Sequence, residues 1–123
     1  MMEWHDREPI YRQLAEHVRQ QIRLGQWPEG AALPSVRQVS ADLKINHLTV
    51  AKGYQCLVDE GLVEKRRGQG MFVLPGAQAA LQTDHREHFL DVQLPELAKT
   101  LQQLNIDIPE LVAHLQPIME KEL

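Results

Sequence analysis

The sequence predicts a mostly α-helical chain of the α+β class. Three observations predict this class: apolar residues recur at helical spacing in several segments, a short turn joins two of these segments, and two short apolar runs flank a glycine turn. All three features lie in residues 1–75, which we expect to form one domain. We expect residues 76–123 to form a separate helical segment.

Composition and charge narrow the class of protein further. Of the 123 residues, 43% are hydrophobic and 24% are charged, as in ordinary globular chains. Residues 1–75 contain ten Lys and Arg against nine Asp and Glu, whereas residues 76–123 contain three against eight. A nucleic acid would therefore be repelled by the second segment and tolerated by the first, where local patches set the potential.

Targeting and redox signals are sparse. No run approaches the roughly 20 apolar residues that a membrane span needs. The N-terminus lacks the basic-then-apolar order of a signal peptide, so we expect no membrane partner. The single cysteine, Cys56, permits no intrachain disulfide, and a reduced, cytoplasmic setting is the natural interpretation.

The first predicted helix begins near Pro9, which suits a first helical turn because its missing N–H costs nothing there. Apolar residues then recur every four positions, at Ile10, Leu14, Val18 and Ile22. This spacing indicates an amphipathic helix of about four turns. Gly25 follows in the position of a left-handed cap, so the helix is expected to end there.

Two shorter helices are predicted next. Ser35 with Gln38 three residues later forms a capping box, and Asn46 is a suitable N-cap for another helix. The expected buried stripes are Val36, Val39 and Leu43 in the second helix, and Val50, Tyr54, Leu57 and Val58 in the third. Because the joining turn is so short, the two helices are predicted to form a helix-turn-helix.

A β-hairpin is predicted after the third helix. Two strand-like runs, Leu62–Arg67 and Met71–Leu74, lie on either side of Gly68-Gln69-Gly70. Three helices followed by such a hairpin form a winged helix-turn-helix.

The C-terminal segment carries a leucine seam that predicts dimerisation. Spacings of four and three alternate along Leu90, Leu94, Leu97, Leu101 and Leu104. Pro95 lies inside the seam, where it either starts a second helix or kinks a longer one. Asp107 and Glu110 resemble a capping box for a last helix, with an apolar stripe at Ile108, Leu111 or Val112, Leu115 and Ile118 or Met119. We expect this two-helix segment to bury its stripes against a second copy across a two-fold axis.

The third helix is the strongest candidate for a nucleic-acid contact. A helix with a polar outer face fits the major groove, and its first turn points at base edges in helix-turn-helix docking. The candidates are Asn46, His47, Leu48 and Thr49 in this turn and Lys52 one turn further on. Asn can pair with adenine, Thr can pack on a thymine methyl, and Lys suits phosphate or guanine. Alternatively, Asn46 only caps the helix and Lys52 is a solvated charge.

The start of the second helix is a candidate for a phosphate contact. Ser35 and Arg37 lie there, where free backbone amides favour an anion and a guanidinium can clamp a phosphate. A surface salt bridge between Arg37 and Asp42 is the alternative interpretation.

The hairpin tip is a second candidate for a backbone contact. Lys65, Arg66 and Arg67 lead into Gly68, and three cations on such a tip suit the DNA backbone or the adjacent minor groove. A glycine there lets the backbone approach closely. A solvated basic run is the alternative.

Metal binding and catalysis are not expected. His85 and His88 could share one helical face, but two imidazoles alone are not a complete zinc site, so exposed polar residues are the preferred interpretation. No nucleophile–base arrangement is visible by spacing. We therefore expect no metal, no cofactor and no enzyme activity.

An ordered set of motifs runs through roughly residues 8–74. The set comprises Pro9-Ile10-Tyr11-x-Gln13, Gly25, Pro28-x-Gly30, Leu33-Pro34-Ser35-x-Arg37, Thr49-Val50, Tyr54-x-x-Leu57, Glu60-Gly61 and Gly68-x-Gly70-x-Phe72-Val73. This set resembles the GntR family of bacterial transcription regulators, and the short C-terminal segment resembles the YtrA subfamily. The resemblance implies a homodimeric winged-helix protein, mostly a repressor in this family, without the large effector domain of other branches.

The resemblance also implies roles for individual residues. It implies DNA contacts by Arg37, by Thr49 on the recognition helix, and by Arg67 and Gly68 at the wing tip. Many relatives have Ser-Arg before the Thr-Val pair, where this chain has Asn46-His47-Leu48. A base-reading arginine is therefore absent, and the operator sequence of relatives does not carry over.

A second departure lies inside the recognition helix. Gly53 stands where relatives usually have alanine, and a glycine there costs up to about 1 kcal/mol of helix stability.

The residue patterns thus predict a dimeric winged-helix protein that binds a palindromic operator in double-stranded DNA, and the resemblance implies a transcription regulator that acts as a repressor. The alternative is a winged helix that serves as a protein-interaction module without DNA binding, which the acidic net charge favours and the basic residues oppose. A small-molecule effector of unknown identity would have to bind in the short C-terminal segment or at the dimer interface. Longer relatives carry a pyridoxal-phosphate domain, for which this chain offers no candidate site.

Overall fold

A computed structural model describes residues 3–122, which form two compact units that divide after Thr83. The elements of the N-terminal unit begin with α1 (Ile10–Arg23), α2 (Val36–Leu43), α3 (His47–Asp59), β1 (Val63–Arg66) and β2 (Gly70–Val73). Next come α4 (Ala77–His88), a π-helical turn (Phe89–Gln93), α5 (Leu94–Gln103) and α6 (Ile108–Glu122). The predicted fold class, mostly helical with a two-stranded wing, is confirmed.

The core of the N-terminal unit lies between the first three helices. The stripe predicted for α1 is buried at Leu14, Val18 and Ile22, whereas Ile10 at the start of the helix stays exposed. Helix α3 contributes the largest buried side chain, that of Tyr54. Further aliphatic side chains from α3 and from the rest of the unit complete the core: Leu33, Val39, Val50, Leu57, Leu62, Val63, Val73 and Ala77.

Side-chain hydrogen bonds fix the start of α2 and the turn that joins α2 to α3. Ser35 Oγ accepts a hydrogen bond from the Gln38 N–H at 3.1 Å, as the capping box predicts. Lys44 ends α2 in the left-handed region at φ +55°, a conformation that the sequence does not signal because Gly and Asn are its usual occupants. The Ser40 hydroxyl then donates to the Ile45 carbonyl, which closes the turn.

The wing is an antiparallel pair in which Val63 lies opposite Val73 and Arg66 lies opposite Gly70. The Gln69 N–H donates to the Arg66 carbonyl at 2.8 Å. Gly68 has φ +74°, which a side chain would disfavour, so the glycine is required by the turn itself.

The outer edge of β2 pairs with the loop that precedes α2. The Leu33 N–H donates to the Met71 carbonyl, and the Val73 N–H donates to the Ala31 carbonyl, both at 2.9 Å. This pairing joins the wing to the start of the helix-turn-helix and has no counterpart in the sequence prediction.

Gly53 allows α1 and α3 to approach closely. A Cβ built on Gly53 would lie 3.0 Å from the carbonyl oxygen of Tyr11 and 3.3 Å from Leu14 Cδ2. The first of these atoms belongs to the α1 backbone, so it can yield only if the whole helix shifts. The glycine that lowers helix propensity therefore permits this packing.

We expect Gly53→Val to lower the free energy of unfolding by about 1–3 kcal/mol, because a branched side chain would force the two helices apart. Urea denaturation of the full chain measures this change. Ala51→Val on the exposed face of α3 is the matched control, since it introduces the same residue where there is room for it and should cost less than about 0.7 kcal/mol of helix propensity. Equal losses in the two variants would contradict the close-packing argument.

The N-terminal unit extends beyond the domain boundary that we predict at Pro75. Ala77 is buried and Leu81 packs against the core. The side-chain amide of Gln78 donates to the Arg23 carbonyl at 3.2 Å. The Pro-Gly turn that suggests the boundary instead precedes α4, whose first turns belong to this unit.

Pro95 lies in the first turn of α5, directly after the π-helical turn. Proline has no N–H to donate and its ring crowds the carbonyl four residues earlier, here that of Asp91 inside the π-helical turn. The backbone dihedrals of His88, Gln93 and Leu94 all stay helical, so of the two alternatives left open by the sequence the structure supports a longer helix that is distorted just before Pro95. Asp107 Oδ1 accepts from the Glu110 N–H at 2.9 Å, which confirms the predicted cap before α6.

Candidate nucleic-acid interface

Helix α3 presents its first turn on the surface of the N-terminal unit. His47, Leu48 and Lys52 are exposed and Thr49 is half-buried. The hydroxyl of Tyr54 donates to the Pro34 carbonyl at 2.7 Å and so ties α3 to the residues that begin α2. Burial raises the pKa of Tyr54 to about 12, so the phenol keeps the proton that this hydrogen bond needs.

Asn46 caps α3, as one of its two interpretations predicts. Its Oδ1 accepts from the Leu48 N–H at 2.8 Å. This hydrogen bond fixes the backbone of the first turn and leaves the side-chain Nδ2 as the group that can donate to a base or a phosphate.

Arg37 is exposed on α2 and faces the same surface. It forms no ion pair with Asp42 among the residues that the structure describes, so the alternative interpretation of this arginine is not supported. A shallow cleft between the two helices is lined by Val36, Arg37, Ser40, Ala41 and His47. The guanidinium and the start of α3 therefore border one depression.

Lys52 has a partner that the sequence does not reveal. Its Nζ lies 4.3 Å from the centre of the Tyr11 ring on α1, within cation–π range. The Tyr11 hydroxyl accepts from Arg12 Nε at 3.2 Å, and this contact raises the pKa of the Arg12 guanidinium. The only sequence signal is that Tyr11 flanks the apolar stripe of α1.

The three cations of the wing differ in their surroundings. Arg66 Nε donates to Glu64 at 2.9 Å, and its guanidinium carbon lies 4.1 Å from the centre of the Phe72 ring. Lys65 and Arg67 are exposed and form no ion pair within the described part of the chain. The wing therefore offers Lys65 and Arg67 as unpaired cations, while Arg66 stabilises the hairpin.

A paired cation at the other end of α3 provides a contrast. Arg19 on α1 donates to both carboxylate oxygens of Glu60, with Nε–Oε1 2.9 Å and Nη2–Oε2 2.7 Å, and also to Glu16. These hydrogen bonds raise the pKa of Arg19, and the one with Glu60 has the largest effect. Because its charge is matched, Arg19 holds α1 against the end of α3 and adds little to the field at the first turn.

Neither a metal site nor a membrane span is supported by residues 3–122. No three His, Cys, Asp or Glu side chains in this range are placed to hold a metal ion, and His85 and His88 are exposed on α4. No helix in this range is long and apolar enough to cross a membrane.

A recognition helix with a polar, exposed first turn, a cation at the start of the preceding helix and a basic wing define a winged helix-turn-helix DNA-binding domain. Residues 10–73 match the family described as "Bacterial regulatory proteins, gntR family". The chain therefore belongs to the GntR family and is a DNA-binding transcription regulator, not an enzyme. The resemblance read from the sequence is confirmed, and the protein-interaction alternative is not supported.

Two relatives show how much of the chain is shared. The HTH-type transcriptional repressor YtrA of Bacillus subtilis (strain 168) is 28% identical over an alignment of 113 residues, and the match covers 81% of this chain and 87% of YtrA. The uncharacterized HTH-type transcriptional regulator YdfD of the same organism is 35% identical over 66 residues, but the chain spans only 14% of its length. The similarity to YtrA thus extends beyond the winged helix.

Two solved structures are similar in fold. A GntR-family transcriptional regulator from Bacteroides thetaiotaomicron has a TM-score of 0.73 at 29% identity, covering 94% of this chain and 100% of that chain. The DNA-binding domain of AraR in complex with operator ORX1 has a TM-score of 0.52 at 26% identity, covering 54% of this chain and 80% of that chain.

Proposed function

We propose that this protein is a homodimeric transcriptional repressor that binds a palindromic operator in double-stranded DNA. The observation that carries the proposal is the combination of one winged helix per chain with a C-terminal unit that leaves its apolar side chains exposed. The similarity to a named repressor along most of the chain supports repression.

The C-terminal unit has the surface of a dimerisation segment. Among residues 84–121 no side chain is buried, and only Leu101, Ile106 and Leu111 are partly shielded. Each of the following large apolar side chains is at least 40% exposed: Phe89, Leu90, Val92, Leu94, Leu97, Leu104, Ile108, Val112, Leu115, Ile118 and Met119. Such a large exposed apolar surface is typical of an interface, and a second copy of the same segment supplies a complementary one.

The proposed contacts divide into two groups. Phosphates are contacted by the side chains of Arg37, Lys52 and Arg67. The protein backbone approaches the phosphates closely at Ser35 and Gly68. The first turn of α3 reads the bases through Asn46, His47, Leu48 and Thr49. Arg66 acts on the DNA only through the shape of the wing.

Selection of bound sites from random duplexes, followed by titration, tests this division. We expect Arg67→Ala to weaken binding to every sequence by a similar factor, because it removes a phosphate contact. We expect Thr49→Ala to change the ranking of sequences, because it removes a base contact. Arg66→Ala is the matched control in the wing and should weaken binding less than Arg67→Ala. Failure to enrich any sequence would contradict the proposed function.

A further inference from the structure

Leu48 is an apolar side chain in an unusual place. It is 67% exposed, more than any other large hydrophobic residue described in the N-terminal unit, and it lies in the first turn of the helix that faces DNA. Its side chain contributes nothing to the core cluster of this unit. Packing in the core therefore does not account for a leucine at this position.

The neighbours of Leu48 limit how this turn can read bases. A bidentate contact to adenine uses both the oxygen and the nitrogen of an asparagine side chain, but Asn46 Oδ1 already accepts from the Leu48 N–H. The turn carries no guanidinium for the commonest contact to guanine. The same cap holds the backbone of Leu48, so the direction of its Cα–Cβ bond is set before DNA binds.

The major groove offers one apolar group at base edges, the C5-methyl of thymine. A leucine side chain has no donor or acceptor, so it can recognise a base only through such a group. We propose that Leu48 is a specificity-determining residue that packs on the C5-methyl of a thymine in each half-site. This inference rests on the proposed function, because it requires α3 to lie in the major groove.

Replacing single thymines by deoxyuridine tests the proposal, since the exchange removes the methyl group and keeps every hydrogen-bonding atom. The full-length protein is first used to select duplexes from a random library, and each thymine of the selected site is then replaced in turn. We expect one position per half-site at which uracil weakens binding about fourfold, the effect of one buried methylene. With Leu48→Ala the same exchange should change affinity by less than a factor of two.

Thr49→Ala is the matched control, because Thr49 could itself contact a thymine methyl. This variant should keep the uracil penalty at the Leu48 position. Leu48→Ala should unfold at the temperature of the wild-type protein, since the side chain is exposed. Tight binding without a uracil penalty, or a penalty that persists in Leu48→Ala, would overturn the proposed role of Leu48 and leave the proposed function intact. Failure to select any duplex would overturn the proposed function and this inference with it.

Discussion

A chain that ends after Thr83 is expected to be a folded monomer that binds a two-half-site operator about 10²–10⁴-fold more weakly than the full-length protein. When two winged helices are held together, the second contact becomes intramolecular, and this linkage accounts for avidity of that size. A single winged helix retains the contacts of one half-site. Sedimentation and operator titration measure the two parts of this expectation.

The end point of the truncation matters because the compact unit continues past the wing. A chain that ends at Pro75 would lose the buried Ala77, the core contact of Leu81 and the hydrogen bond from Gln78 to the Arg23 carbonyl. Its weaker binding would then mix the loss of the dimer with a loss of stability. The chain that ends after Thr83 keeps these contacts and isolates the role of the C-terminal unit.

A substitution in the full chain separates dimerisation from chain length. Leu97→Asp places a charge in the exposed seam of α5 and should give a monomer with the same weak binding. Gln103→Asp adds an equal charge on the same helix outside the leucine seam and should stay dimeric. If the truncated chain and Leu97→Asp both remain dimers with wild-type affinity, the dimer forms elsewhere and the proposed role of the C-terminal unit is wrong.

The features predicted correctly from the sequence depend on short-range chemistry. Ser35, Asn46 and Asp107 cap helices because each side chain reaches a backbone N–H within three residues. The apolar stripe of α1 follows from helical period alone. Such contacts need no knowledge of the rest of the fold, so a sequence pattern is sufficient to find them.

The features that the sequence did not reveal depend on distant segments. Lys52 meets Tyr11 across two helices, and the pairing of β2 with residues 30–33 joins segments about 40 residues apart. Neither contact has a periodic or capping signal. The wing cations likewise differ in role only because Phe72 and Glu64 contact Arg66, and these contacts are evident only in the structure. A run of basic residues shows that a surface is positive, but it does not show which charge is free.

The proposed phosphate contacts lead to a steep salt dependence of operator binding. These contacts are made by Arg37, Lys52 and Arg67, which are exposed on each chain and give six cations in a dimer. Each phosphate that a cation neutralises adds about −0.9 to the slope of log K against log salt, so the slope should be about −5. Affinity should then fall by about 10³-fold between 50 and 200 mM salt. Fluorescence anisotropy titrations at several salt concentrations measure the slope directly.

Substitution of either of two arginines in the wing tests which charges contribute to the salt slope. Arg67→Ala removes one phosphate contact from each chain, so the slope should become less steep by about 1.8. Arg66→Ala removes the same charge from the sequence, but this charge is already matched by Glu64, so the slope should change little. Equal changes in the two variants would show that the Arg66–Glu64 pair opens on DNA. A nearly flat slope for the wild-type protein would mean that these cations do not meet the phosphate backbone, and the docking of α3 in the major groove would lose its electrostatic support.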